Sequence, residues 1–188
     1  MLPKLLLHVC CANCATIPVE LLKNEFDLTL FWYNPNIHPW RERRKRLAEV
    51  KKLVRIYKTK LIKLGRGTRE WFKTVKGLEK EPEGGKRCEQ CFQMRLQKTA
   101  EIAKKKSFDY FATTLTVGPR KKAETINSLG EELAKKYGLK FYGADFKKND
   151  GFKKSFELSK KYNFYRQHYC GCAFSAKIFN PPVGGVKN

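Results

Sequence analysis

Acidic residues are scarce in this chain of 188 residues, which has 18 Asp and Glu against 40 Lys and Arg. The resulting formal charge of +22 argues against a surface selected for heat stability, because such surfaces pair Lys with Glu in similar amounts. A large excess of positive charge instead concentrates polyanions around a protein. The composition therefore predicts a nucleic acid as the partner.

Long apolar runs are also lacking. The segment MLPKLLLHVC at the start contains an apolar stretch too short to span a bilayer, and no small-residue cleavage site follows it. We therefore expect a cytoplasmic protein that does not enter a membrane. A chain of this length can bury a substantial core as one domain, residues 1–188, and no internal repeat divides it.

Apolar runs alternate with helical patterns through most of the chain. Strand-like runs occupy residues 3–10, 28–33, 60–64, 108–115 and 139–142, and helical patterns occupy 16–23, 40–57, 68–75, 87–106 and 123–137. This alternation predicts an α/β fold with a Rossmann-like parallel sheet flanked by helices. Residues 151–180 are expected to form a helical C-terminal segment that bears cysteines, and residues 181–188 a loose tail.

The seven cysteines fall into three short groups. Thiols stay reduced in the cytosol, so grouped cysteines favour metal binding or catalysis over a structural disulfide framework. The groups are C-C-x-x-C at Cys10, Cys11 and Cys14, C-x-x-C at Cys88 and Cys91, and C-x-C at Cys170 and Cys172.

The first two groups suit a metal site. Ligands of open α/β sheets bind at the carboxyl ends of the strands, and Cys10, Cys11 and Cys14 lie where the first predicted strand gives way to its helix. Cys14 and Cys88 lie near predicted helix N-termini, whose dipole is expected to lower the thiol pKa. The C-x-x-C pair needs two more thiolates, which Cys10 and Cys11 supply if the strand end curls. Zinc and an iron-sulfur cluster both satisfy this pattern.

The third group places Gly171 between Cys170 and Cys172. Glycine gives the backbone the freedom to bring the two sulfurs within bonding distance. A disulfide across so short a loop is strained and easily reduced, which suits an electron relay. Two buried or metal-binding thiols are the alternative.

An aromatic and basic cluster begins the predicted helix at residues 40–57. Trp40 can stack bases while Arg41, Arg43 and Arg44 contact phosphates, as in proteins that bind single-stranded RNA. The arginines are expected on the basic face of this helix, opposite its apolar stripe. These four residues are the predicted contacts with the nucleic acid.

Four segments together resemble the QueH-type, cobalamin-independent epoxyqueuosine reductases over nearly the whole chain: LLHVCCANC, FWYNPNIHP, WFKTVKGLEKEPEGGKRCEQCFQMRL and NFYRQHYCGC. The resemblance implies an adenine-nucleotide-hydrolase-like fold. It implies reduction of the epoxide of epoxyqueuosine, at the wobble position of a tRNA anticodon, to the alkene of queuosine with loss of the oxygen as water. It also implies a [4Fe-4S] cluster, an additional mononuclear iron and an external electron donor.

The resemblance further implies roles for individual residues. Cys10, Cys11, Cys88 and Cys91 match the cluster ligands, and Cys170 and Cys172 match a redox-active disulfide pair. Cys14 is expected to be catalytic and to help hold the single iron that polarises the epoxide oxygen. The candidate proton donors are His8, Asp145 and His168, although an isolated histidine is more often structural.

The sequence departs from the family pattern at Asn13, where similar sequences often carry Pro in C-C-A-P-C. The Asn13 side chain can cap the following helix instead of stiffening the turn.

Two other classes of protein compete with this interpretation. A zinc-stabilised four-cysteine RNA-binding module without catalysis would use the same thiolates and charge. A sulfur-transferring tRNA thiolase on a similar fold would need an ATP-binding segment of the S-G-G-x-D-S type after the first strand. Cysteines stand at that point of this sequence instead.

Overall fold

A computed structural model describes residues 1–175, so the predicted tail at 181–188 lies outside the described residues. Within residues 1–175, five strands form one parallel sheet in the order β3-β2-β1-β4-β5. The strands are β1 Lys4–His8, β2 Asp27–Trp32, β3 Lys60–Lys63, β4 Tyr110–Thr113 and β5 Lys140–Phe141. The predicted Rossmann-like α/β fold is confirmed.

Helices connect and cover the strands. They are α1 Ala12–Leu22, α2 Trp40–Tyr57, α3 Thr68–Thr74, α4 Lys86–Lys105, α5 Ala123–Tyr137 and α6 Gly151–Lys161, with a short 3₁₀ helix at Thr114–Val117. The bounds of α2 and α5 agree with the prediction, because each carries an apolar stripe at helical spacing. None of the helices in residues 1–175 has the length and hydropathy that crossing a membrane requires.

The cysteine-bearing part of the C-terminal segment follows a helix rather than forming one. Helix α6 ends at Lys161, and Asn163 adopts a left-handed backbone with φ of 48°. Lys52 donates hydrogen bonds to the carbonyl oxygens of Tyr162 and Asn163 at 2.7 and 3.1 Å. These contacts turn the chain out of the helix, so that residues 164–171 run back across the molecule without helical structure.

The central strand β1 is buried on both faces. Leu5 and Leu7 pack into the core formed with α1 and α2, and Leu6 packs into the core formed with α4 and α5. Burial on both sides explains why this strand reads as a continuous apolar run, as is usual in parallel sheets. Strand β1 therefore fixes the position of the cysteine motif that follows it, which begins at Cys10.

The chain leaves β1 at the point where the strand order reverses. Strand β1 lies between β2 and β4, so the segment after His8 emerges at a topological switch point. Helix α1 begins at Ala12, and the 3₁₀ helix follows β4 at the same edge of the sheet. The sheet thus brings Cys10, Cys11 and Cys14 to the edge where α/β proteins bind ligands.

Candidate metal and redox centre

The three thiols of the first motif lie together. The Sγ atoms of Cys10, Cys11 and Cys14 are all within 4.8 Å of one another, with Cys10 and Cys11 buried and Cys14 half-buried. Cys11 is the N-cap residue of α1, and its Sγ accepts a hydrogen bond from the backbone N–H of Cys14 at 3.3 Å. Because β1 has ended at His8, the adjacent Cys10 and Cys11 side chains are no longer held on opposite faces of the sheet.

Negative charge in this group concentrates on Cys10. Hydrogen bonds from Cys11 and Cys14 lower the pKa of Cys10 well below its usual value. The hydrogen bond with Cys10 raises the pKa of Cys11 to about 12, and the same interaction raises the pKa of Cys14 well above its usual value. The predicted lowering at Cys14 is therefore wrong, because neighbouring sulfur charge and burial outweigh the helix dipole.

This donor set fits a soft metal centre. Thiolates select zinc and iron-sulfur clusters over magnesium or calcium, and a bound cation deprotonates coordinating thiols outright. The three grouped sulfurs therefore can hold a metal centre at this edge of the sheet.

The C-x-x-C pair lies at the start of α4. Cys91 is buried and packs with Trp71, Val75 and Cys172. Burial raises the pKa of Cys91 to about 11 and also raises the pKa of Cys88, so the predicted lowering at Cys88 is wrong as well. Within residues 1–175, the first motif forms the only group of three or more sulfurs within 4.8 Å, and the C-x-x-C pair instead lies near the third motif.

The C-x-C loop requires its glycine. Gly171 has φ of +99°, and a Cβ atom at this position would lie 2.9 Å from Nη1 of Arg46. The backbone N–H of His38 donates to the carbonyl oxygen of Gly171 at 2.7 Å. Both the left-handed backbone and the close approach exclude a larger residue. Cys170 is half-buried and Cys172 is buried, both as thiols.

A buried ion pair on α2 holds this loop, and the sequence analysis missed it. Arg46 Nε donates to Glu42 Oε1 at 2.7 Å, with both side chains almost fully buried. Its Nη1 and Nη2 atoms donate to the carbonyl oxygens of Cys170 and Tyr169 at 2.9 and 3.0 Å. The i, i+4 spacing of Glu42 and Arg46 was a visible sign of a pair, but not of its burial.

A second set of contacts joins the first motif to the segment that leads into the third. Gln167 Nε2 lies 2.9 Å from Sγ of Cys11. Asn13 Nδ2 donates to Gln167 Oε1 and to the carbonyl oxygen of Tyr165, both at 2.9 Å. Asn13 therefore ties the first motif to the segment that precedes the third, and the expectation that it caps α1 is wrong because Cys11 takes the N-cap position.

One cavity of about 300 Å³ connects these motifs. Cys10 and Cys14 of the first motif and Cys170 of the third line it. Most charged groups on its wall are cationic: Arg46, Arg120, Lys121 and Arg166, with Glu83 as the carboxylate. Burial alone would lower the pKa of Lys121, but its electrostatic interaction with the cysteines of the cavity, Cys10 among them, raises it. The cavity is thus lined by sulfur and suited to an anionic ligand.

The candidate proton donors lie in different places. His8 is fully buried, with Nδ1 3.0 Å from Oγ1 of Thr113, and burial lowers its pKa to about 3. Asp145 forms an ion pair with Lys147 at 3.0 Å. His168 is exposed and lines the cavity. Of the three, His168 is therefore the residue that can meet a ligand there.

The predicted nucleic-acid contacts lie on the first turn of α2. Trp40 is 43% exposed, and the guanidinium of Arg66 lies 4.2 Å from its ring centroid. Arg41 and Arg44 are exposed. Arg43 is buried, with its guanidinium 5.4 Å from the Trp40 ring, contrary to its expected place on the basic face. The guanidinium of Arg43 also lies 5.9 Å from the ring of the buried Trp32, so it contacts two indoles instead of solvent.

A family model described as epoxyqueuosine reductase QueH matches residues 5–178. This chain belongs to the QueH family of epoxyqueuosine reductases. It is 42% identical over 182 residues to the QueH of Streptococcus pyogenes serotype M1, covering 94% of this chain and 71% of that protein. It is 38% identical over 177 residues to the QueH of Thermotoga maritima, covering 90% and 88%. The predicted QueH family and its class of enzyme are confirmed.

A solved structure shares the fold at low sequence identity. It is the U34-tRNA thiolase NcsA from Methanococcus maripaludis with its [4Fe-4S] cluster, with a TM-score of 0.58 and 12% identity. The match covers 95% of this chain and 65% of that one. Similarity at this identity concerns the fold, and it agrees with the Rossmann-like sheet of this QueH protein.

Proposed function

We propose that this QueH protein reduces the epoxide of epoxyqueuosine at the wobble position of a tRNA anticodon to the alkene of queuosine. The observation that supports this proposal is the cavity lined by Cys10 and Cys14 on one side and Cys170 on the other. A metal centre on the first motif and a dithiol on the third would both face a substrate in that cavity. The choice of epoxide reduction as the reaction rests on membership of the QueH family.

We propose that the resident cofactors are a [4Fe-4S] cluster held by Cys10, Cys11, Cys88 and Cys91 and an additional mononuclear iron held partly by Cys14. When bound, such centres supply single electrons and a Lewis acid for the departing oxygen. The grouping of Cys10, Cys11 and Cys14 within 4.8 Å favours a second assignment, in which all three bind the cluster. The two assignments differ in the effect of removing Cys14.

Conversion of an epoxide to an alkene and water consumes two electrons and two protons. Oxidation of the Cys170 and Cys172 dithiol to a disulfide releases two electrons and two protons, so the pair can restore the centre after each turnover. An external electron donor must then reduce the disulfide. Of the candidate proton donors, His168 is the one that lines the cavity.

The partner in this proposal is tRNA carrying epoxyqueuosine, and the site of action is the cytoplasm. The formal charge of +22 and the cationic wall of the cavity support a polyanionic substrate. We also propose that Trp40, Arg41, Arg43 and Arg44 contribute to tRNA binding, with Arg41 and Arg44 exposed and available for phosphates.

Anaerobic purification with iron and sulfide counting, joined to a turnover assay on epoxyqueuosine-tRNA, tests the function. We expect a brown protein that contains iron and sulfide and converts epoxyqueuosine to queuosine in digested tRNA. A colourless zinc protein that binds tRNA without turnover would support the RNA-binding module instead. Sulfur incorporation into tRNA would support a thiolase, but the segment after β1 carries cysteines where that chemistry needs an ATP-binding loop.

A further inference from the structure

Two phenylalanine side chains lie on the wall of the cysteine cavity. Phe152 and Phe156 are one helical turn apart on α6 and therefore share a face of the helix. Phe152 is 45% exposed. Of the strongly exposed large apolar side chains in residues 1–175, Phe152 alone lines this cavity. A ring is thus presented to any ligand that enters beside Cys14.

Two cationic side chains lie over the Phe156 ring. The guanidinium carbon of Arg166 lies 3.7 Å from the Phe156 ring centroid, and Nζ of Lys160 lies 4.6 Å from it. Arg166 lines the cavity, and so does Arg120, which is 68% exposed. Flat aromatic and guanidinium surfaces among positive charges are the features with which proteins bind single-stranded nucleic acids. A lipid surface would favour a wider apolar patch than these rings provide.

Buried hydroxyl groups fix this face relative to the thiols. Ser155 donates a hydrogen bond to the carbonyl oxygen of Asn13 at 2.5 Å, and Thr16 donates to Ser155 at 3.3 Å. Ser155 and Ser159 are both buried on the side of α6 that packs against α1. Because α1 also carries Cys14, the rings of α6 are held at a set position beside the first motif.

We propose that Phe152, Phe156 and Arg166 form a stacking surface for an unpaired nucleobase that neighbours the modified base in the anticodon loop. Arg120 and Lys160 contact the adjoining phosphates. This inference rests on the proposed function, which brings the anticodon to the cavity. The surface positions the modified nucleoside, because its neighbour is held against α6 while the reacting base faces the cysteines.

Binding of an anticodon stem-loop RNA tests the stacking surface without requiring turnover. The RNA carries 2-aminopurine next to the wobble nucleotide, and the anaerobically purified full-length protein is titrated into it. We expect the fluorescence to be quenched when the wild-type protein binds. Phe152→Ala and Phe156→Ala should each weaken binding by about 5- to 150-fold, the range that loss of one base-stacking ring produces. An unquenched wild-type complex would overturn the proposal.

Matched variants separate stacking from simple apolar contact. Phe152→Leu keeps apolar bulk and should weaken binding, whereas Phe152→Tyr keeps the ring and should bind like the wild type. Arg166→Lys keeps the charge, loses the flat guanidinium and should weaken binding. Leu21→Ala removes an apolar side chain that is 55% exposed and lies outside the cavity, and should change nothing. Iron content and thermal unfolding are checked for every variant.

The outcomes distinguish the stacking surface from the proposed function. If epoxyqueuosine-tRNA is reduced but Phe152→Leu and Arg166→Lys bind RNA like the wild type, the stacking surface is refuted and the reductase stands. If binding requires the rings but no substrate is reduced, the stacking surface stands and the reductase fails.

Discussion

The guanidinium of Arg46 donates a hydrogen bond to the backbone of Cys170. Nη1 donates to the Cys170 carbonyl oxygen at 2.9 Å, from a side chain that is 2% exposed. Glu42 completes the arrangement, because Tyr165 donates to its second carboxylate oxygen at 2.8 Å. A buried helix residue thereby determines where the C-x-C loop lies beside the cavity.

Replacing Arg46 with Met is expected to lower the free energy of unfolding by about 3–5 kcal/mol, because it leaves the buried Glu42 carboxylate without its cation. Urea unfolding of the anaerobically purified protein measures the loss. The double variant Arg46→Met with Glu42→Gln should be more stable than the sum of the two single changes implies. An Arg46→Met protein as stable as the wild type would contradict the role assigned to the pair.

Replacing Gln167 with Leu is expected to lower the reduction potential of the metal centre. The amide N–H directed at Sγ of Cys11 stabilises negative charge on sulfur and so favours the reduced state. Potentiometric titration followed by electron paramagnetic resonance measures the shift. Asn13→Ala, which frees the Gln167 amide without removing it, should shift the potential in the same direction by less. An unchanged potential in Gln167→Leu would show that Cys11 is not a ligand of the titrating centre.

Replacing Cys170 with Ser is expected to stop multiple turnovers while leaving the iron content unchanged. The remaining thiol cannot form the disulfide that returns two electrons, so at most one equivalent of queuosine should form per protein. Single- and multiple-turnover assays with the same reductant measure the difference. Cys172→Ser should behave in the same way, and continued cycling in either variant would refute the relay.

Removing Cys14 distinguishes the two assignments of the metal ligands. With the cluster on Cys10, Cys11, Cys88 and Cys91, the Cys14→Ala protein should keep the cluster and lose the additional iron. Cys11→Ala should lose the cluster. Iron and sulfide counts with Mössbauer spectra compare the variants. Loss of the whole cluster in Cys14→Ala would favour the assignment in which the three grouped sulfurs of the first motif bind it together.

Binding of tRNA is expected to weaken steeply with salt. The logarithm of the affinity should fall by about 0.7 to 0.9 per decade of salt for each phosphate neutralised. Arg41→Ala and Arg44→Ala should each reduce that slope by about one phosphate, whereas Lys135→Ala on α5 should not. Arg43→Ala tests the buried arginine, which should affect stability more than the slope. Filter binding across a salt series gives the slopes, and a slope near zero would exclude phosphate contacts.

The local sequence pattern was sufficient to predict elements whose position depends on a single helix face or a single strand. The apolar stripes of α2 and α5 gave their bounds, and the continuous apolar run of β1 identified a buried parallel strand. The thiol pKa values were not predictable in this way. Helix position alone indicated a lowered pKa at Cys14 and Cys88, but hydrogen bonds with Cys10 and Cys11 raise the pKa of Cys14, and burial raises that of Cys88.

Hydrogen-bond partners that are far apart in the sequence could not be predicted from local pattern. Gln167 is 156 residues from Cys11, and Arg46 is 124 residues from Cys170, so no spacing rule connects either pair. The same holds for Arg43, because its contact with the buried Trp32 of β2 depends on how α2 packs against the sheet.

The amino-acid sequence by itself determined the alternating α/β order, the positive charge, the three cysteine groups and the QueH family, because these are properties of composition, period and motif. Only the tertiary structure showed that the three sulfurs of the first motif lie within 4.8 Å of one another and that Cys170 of the third motif lines the same cavity. It also showed that Arg46, Gln167 and the rings of α6 line that cavity. The reason is that contact between distant segments depends on how the sheet and helices pack.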